Sequence, residues 1–142
     1  MGANTTYTGG CHCGALSIEF HTSKPLAPRA CDCSFCRKHG VRSVSDADGR
    51  AVIRHMATRP AQRYRFGLKT ADFFICPTCG VYVAAVIEVE RKWYSVLNLN
   101  AFDDLHADIE AEPMCYDGES VADRTARRSR VWTPTQILKT AS

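Results

Sequence analysis

Seven of the eight cysteines of this chain stand in three tight groups: Cys11-His12-Cys13, Cys31-Asp32-Cys33-Ser34-Phe35-Cys36 and Cys76-Pro77-Thr78-Cys79. Thiols packed this closely restrict the fold, because the segments bearing them must converge on whatever holds the sulfurs. The opening MGANTTYTGG lacks a cationic stretch followed by an apolar run, so no signal peptide is read and the cytoplasm is the expected compartment. In a reducing compartment clustered cysteines serve as metal ligands or catalytic groups, not as disulfides. Residues i and i+2 of an extended segment project to one face, which lets Cys11 and Cys13 reach the same metal and turns His12 away. A C-x-x-C turn brings two sulfurs together beside backbone N–H donors, and Gly80 after Cys79 supplies the positive φ that such a knuckle uses.

Four thiolates close a tetrahedral zinc site, whereas three leave a position for water or substrate. Seven cysteines divide into four and three, with Cys11, Cys13, Cys76 and Cys79 as the closed set and Cys31, Cys33 and Cys36 as the open one. Spacing equally permits a zinc ribbon of Cys33/Cys36 with Cys76/Cys79, and periodicity does not choose between them. A thioredoxin-type reading of Cys76-Pro77-Thr78-Cys79 is disfavoured, since a β-branched strand pattern follows where a helix would be needed.

The rest of the chain is ordinary for a globular protein. Its 142 residues suit one domain, 1–142, with the motifs inside roughly 7–100. A net charge of +3 is too mild for a nucleic-acid or membrane-surface protein, and no apolar run approaches the ~20 residues that span a bilayer. Leu16, Ile18 and Phe20 alternate with polar or small neighbours, as do Val81, Val83, Ala85, Ile87 and Val89, which predicts strands. Trp93–Leu99 follows the polar Glu90-Arg91-Lys92, so a hairpin is expected there. Shorter strands are expected at 41–45, 51–55, 62–66 and 73–75. Helix is expected only as a short turn capped by Asn100 and carrying Phe102, Leu105 and Ile109, and as a polar helix over 119–130. The fold class is therefore mainly β, with little helix.

Taken together, Gly10-Cys11-His12-Cys13-Gly14, Cys31-Asp32-Cys33-Ser34-Phe35-Cys36-Arg37 and Phe74-Ile75-Cys76-Pro77-Thr78-Cys79-Gly80 resemble the glutathione-dependent formaldehyde-activating family, the CENP-V/GFA domain. The resemblance implies a β-tent fold with two zinc ions per chain. It assigns Cys11, Cys13, Cys76 and Cys79 to the structural ion, and Cys31, Cys33 and Cys36 to a catalytic ion with an open position. The implied activity is that of a carbon–sulfur lyase acting on a thiol–aldehyde adduct, S-(hydroxymethyl)glutathione, with glutathione and a small aldehyde such as formaldehyde as partners. The second half departs from the formaldehyde enzymes: a Gly-x-Leu-Asp-Asp-Pro-like turn is replaced by Asn98-Leu99-Asn100-Ala101-Phe102-Asp103-Asp104, and the tail from Tyr116 looks like a separate branch.

Four further features are weighed. Cys115 is expected to be a harmless thiol or a fourth ligand of the open site, and His39 a neighbour of that site. Arg37 and Lys38 are expected on a solvated face or drawing in an anionic thiol, and the arginines of 124–130 on an exposed polar surface. The competing functional class is a zinc scaffold that binds a protein partner without catalysis. An odd ligand count favours the enzyme, since a scaffold has no use for an incomplete shell.

Overall fold

Residues 82–89 are apolar at nearly every position, the composition of a strand buried on both faces. The computed structural model, which describes residues 4–104, 106 and 108–140, puts that strand between two hydrophobic cores. The strands are β1 (Thr5–Gly10), β2 (Leu16–Thr22), β3 (Arg29–Cys31), β4 (Ser43–Val44), β5 (Arg50–Met56) and β6 (Gln62–Tyr64). After them come β7 (Asp72–Ile75), β8 (Tyr82–Val89), β9 (Lys92–Asn98), β10 (Glu112–Met114) and β11 (Thr133–Thr140). Two helices, α1 (Ser34–His39) and α2 (Val121–Val131), complete a mainly β fold. No helix among the described residues is long and apolar enough to cross a membrane.

All eleven strands join one sheet that forks at β9. One edge of β9 pairs antiparallel with β8 along its length. The other edge is shared: Trp93–Ser95 face β11, and Leu97–Asn98 face β4. One arm continues through β11, β5, β2 and β1, and the other through β4, β3 and β10. Strand β8 lies against both cores: successive residues go to opposite faces, with the alternation reset at Val83–Ala84, where the register against β7 shifts between Phe74 and Ile75. Val83 and Val86 enter the first core with Leu16, Ile18, Ile53 and Phe74, and Tyr82, Ala85 and Ile87 enter the second with Phe35, Val96 and Trp132.

The expected β8–β9 hairpin is present. Its two-residue turn places Glu90 and Arg91 at φ 52° and 67°, the left-handed pair whose twist matches the flanking strands. Strands also form near 16–20, 41–45, 51–55, 62–66 and 73–75, with shifted ends. The polar helix begins at Val121, capped by Ser120, whose Oγ accepts the Asp123 N–H at 3.1 Å. The turn expected from Asn100 starts earlier. Asn98 is the cap, its Oδ1 accepting the Asn100 N–H, and a single 3₁₀ turn spans Leu99–Ala101. Phe102 follows as a buried bridge to Gly9, and Leu105 lies outside the described residues.

Candidate metal centres

The first cluster is assembled from two hairpin connections. Cys11 and Cys13 sit between β1 and β2, and Cys76 and Cys79 between β7 and β8. The Cys11–Cys13 segment is a turn, not the extended strand its spacing suggested. The turn is closed by the Cys11 N–H donating to the Leu16 carbonyl at 3.0 Å, and the Leu16 N–H returns a bond to Cys11 Sγ at 3.2 Å. His12 is exposed, as expected. In the second connection Cys76 N–H donates to Val81, Gly80 N–H donates to Cys76, and Gly80 takes φ 81°, where a side chain would strain the backbone. Cys79 N–H donates to Cys76 Sγ at 3.4 Å.

The four Sγ atoms lie within 4.8 Å of one another. Cys13 Sγ is 3.7 Å from Cys11 Sγ and 3.5 Å from Cys76 Sγ. Sulfurs bound tetrahedrally to one zinc at about 2.3 Å stand about 3.8 Å apart, whereas disulfide sulfurs stand at about 2.05 Å. The donor set therefore fits a closed thiolate site. The zinc-ribbon alternative does not form, because Cys76 and Cys79 face Cys11 and Cys13 and not Cys33 and Cys36. Burial pushes the Cys11 thiol up to about 11. At Cys79 burial is outweighed by backbone N–H donors, and its thiol falls to about 6. A bound cation would hold all four as thiolates.

The second cluster sits on the other core. Cys31 ends β3, Cys33 caps α1, and Cys36 lies in the first turn of that helix. Cys33 Sγ accepts the Cys36 N–H at 3.4 Å, as a serine cap oxygen would, and Cys31 Sγ accepts the Cys33 N–H at 3.5 Å. These three sulfurs also fall within 4.8 Å of one another. Cys36 donates to Cys31, which brings the Cys31 thiol down to about 6 and pushes the Cys36 thiol well up, with burial adding to the latter.

The two clusters differ in what covers them. Above Cys31, Cys33 and Cys36 opens a cavity of about 130 Å³. One wall is apolar and aromatic, built from Phe66, Phe73, Tyr82, Val96 and Trp132. The lining is also cationic: Arg29 from β3 and Arg124, Arg127 and Arg128 from α2. Arg127 donates to both Glu119 carboxylate oxygens at 2.8 and 2.9 Å and lies over the Tyr116 ring at 3.8 Å. Arg124 donates to the Tyr116 carbonyl, and Arg29 to Ser45 Oγ. Arg128 is only 8% exposed. It donates from Nη1 to Thr70 Oγ1 at 2.8 Å and lies 4.9 Å over the Trp132 ring. Burial pushes its guanidinium down to about 10, which still leaves it charged at neutral pH.

The arginines of α2 were expected on an exposed surface, and this is corrected: positions 124, 127 and 128 share one helix face, and that face covers the cavity. The i, i+3, i+4 spacing was the available signal, but a polar stripe reads alike whether it meets solvent or a polar pocket. Arg37 and Lys38 are exposed and are not among the residues lining the cavity. His39 is exposed and packs its ring on Phe35 at 4.4 Å, away from the cysteine group. Cys115 is exposed and groups with the carboxylates of Asp32 and Asp117, not with the three thiols.

Two comparisons bear on this arrangement. The family model described as glutathione-dependent formaldehyde-activating enzyme matches residues 6–117, a span that holds all seven clustered cysteines. The crystal structure of a Rhodobacter sphaeroides protein, a structural genomics target, is similar at 30% identity with a TM-score of 0.53. The match covers 77% of this chain and 99% of that one. Helix α2, with Arg124, Arg127 and Arg128, lies beyond the stretch matched by the family model.

Proposed function

Because this chain belongs to the glutathione-dependent formaldehyde-activating enzyme family, we propose that it is a zinc-dependent carbon–sulfur lyase acting on a thiol–aldehyde adduct of the S-(hydroxymethyl)glutathione type. In this reading Cys11, Cys13, Cys76 and Cys79 hold a structural zinc, and Cys31, Cys33 and Cys36 hold a second in the same domain. Zinc bound by three thiolates would keep an incoming thiol deprotonated at neutral pH and leave a coordination position for it. The observation that carries the reading is the contrast in ligand count: four sulfurs close one cluster, while three stand at the floor of a cavity.

In the synthetic direction the thiol sulfur attacks the aldehyde carbon. The C=O π pair moves to oxygen, which takes up a proton as the thiol gives one up, and the lyase direction reverses each change. The cavity residues assist by enclosure and charge. Phe66, Phe73 and Trp132 keep bulk water from the reacting carbon, and the arginines attract an anionic thiol such as glutathione. A reducing compartment such as the cytoplasm suits this chemistry, and all eight cysteines are free.

The test follows exchange between formaldehyde, glutathione and their adduct by NMR, comparing zinc-loaded wild type with Cys33→Ser. The adduct also forms spontaneously, so the expected result is an exchange rate above background with wild type and none with the variant. Background exchange with both proteins, together with absence of thiol binding, would replace the enzyme by a zinc scaffold for a partner protein.

A further inference from the structure

The arginines of the cavity are not equivalent. Arg127 spends its fork on Glu119, and Arg124 and Arg29 donate to Tyr116 and Ser45. Arg124 Nε also lacks a hydrogen bond but stands 3.6 Å from Glu119 Oε1. Arg128 is the most buried of the four and has no carboxylate beside it among the described residues. Its Nη1 reaches Thr70 Oγ1, while among the described residues Nε has no hydrogen-bond partner and no hydrogen bond uses Nη2. A buried charged donor left unpaired is costly, and natural interiors seldom keep one without a use. Nε and Nη2 form one edge of the guanidinium, two parallel N–H donors spaced for the two oxygens of a carboxylate. That edge belongs to a side chain lining the cavity floored by Cys31, Cys33 and Cys36. The surrounding charge favours an anion: Arg29, Arg124 and Arg127 stand nearby, Glu119 is engaged with Arg124 and Arg127, and Asp32 and Asp117 are exposed at the rim.

We infer that the substrate of this cavity carries a carboxylate close to its reacting sulfur, and that Arg128 is the specificity-determining residue that holds it. The inference rests on the reading of the cavity as a thiol site and adds the group that selects among thiols. Trp132, beneath the guanidinium, keeps the fork in plane, and Thr70 fixes its third nitrogen. The carboxylate then displaces no existing hydrogen bond of Arg128, whose Nη1 stays on Thr70.

The experiment compares two small thiols, 3-mercaptopropionate and 2-mercaptoethanol, by calorimetric titration of the zinc-loaded protein. It adds propanoate, which has no sulfur, followed through the Trp132 indole NMR signal. Wild type should bind mercaptopropionate at least about tenfold more tightly than mercaptoethanol, the factor expected of a charge-assisted hydrogen bond. Propanoate should shift the indole signal. In Arg128→Gln the ratio should fall to within about twofold with zinc content unchanged, and propanoate should lose its effect. Arg128→Lys, which keeps the charge but not the fork, should retain only part of the ratio and serves if the glutamine variant does not fold. Equal affinity for the two thiols in wild type, or a ratio that persists in both variants, overturns the inference while the thiol site stands. Mercaptopropionate binding no tighter than propanoate, with no binding of mercaptoethanol, retains the carboxylate fork and removes the lyase reading. Silence toward all three ligands removes both.

Discussion

The two cysteine clusters are built by the same local device and end in different surroundings. In each, a C-x-x-C segment turns so that the N–H of its second cysteine donates to the sulfur of the first, Cys79 to Cys76 and Cys36 to Cys33. The difference lies in what the segment joins. Cys76 and Cys79 lie between two paired strands and meet a second hairpin connection, which supplies Cys11 and Cys13 and completes a set of four sulfurs. Cys33 and Cys36 open a helix instead, and the third sulfur comes from the end of the three-residue strand β3, so one side stays free and the cavity occupies it. Local sequence sets the knuckle, and the connecting elements decide whether the site is closed or open.

That contrast predicts unequal consequences of losing a ligand. Cys76→Ser removes a sulfur on which two hairpins converge. Structural zinc contributes folding free energy on the order of 10 kcal/mol, so the variant should lose its β circular dichroism and its soluble yield. Cys33→Ser should keep the native spectrum and lose one equivalent of zinc by elemental analysis after reconstitution. Equal collapse of both variants would make both sites structural, and equal tolerance would remove the distinction altogether.

Much of this division was legible in the sequence, and its limits have physical causes. The strands at 16–20, 51–55 and 81–89 were readable because one or both faces are buried, and the pattern follows the burial. Strands β1, β3, β10 and β11 were missed: Thr5–Gly10 and Thr133–Thr140 carry little apolar alternation, and β11 is paired by β5 and β9, both distant in sequence. Helix α1 was missed because six residues beginning at a cysteine cap look like a knuckle and not a helix. The grouping of the sulfurs into four and three was open on spacing alone and followed from the resemblance to the family. The cationic lining escaped notice for another reason. Nothing within α2 records that Arg128 meets Thr70 and Trp132 instead of water.

A smaller effect separates the two cores by pH. His55 is buried on β5 beside the first core, accepts the Ala61 N–H at Nδ1 and stacks near Phe74. Burial lowers its pKa below the ordinary 6.5, with Arg63 and Lys139 adding to the effect. The unfolded chain then binds a proton near pH 6.5 that the folded chain refuses. The contribution of His55 is therefore complete above pH 6.5 and is lost as pH falls below it. The urea midpoint should fall between pH 7.5 and 5.5, and His55→Gln should flatten that slope. Equal slopes in wild type and variant would show that His55 plays no part.

The central claim is that one cluster is closed and the other can accept a thiol. Cadmium-113 replaces zinc in thiolate sites and reports each site by its own NMR resonance. The account predicts two resonances per chain, of which the one lost in Cys33→Ser moves when 3-mercaptopropionate is added while the other stays fixed. A single resonance, or two that both ignore the thiol, would contradict it.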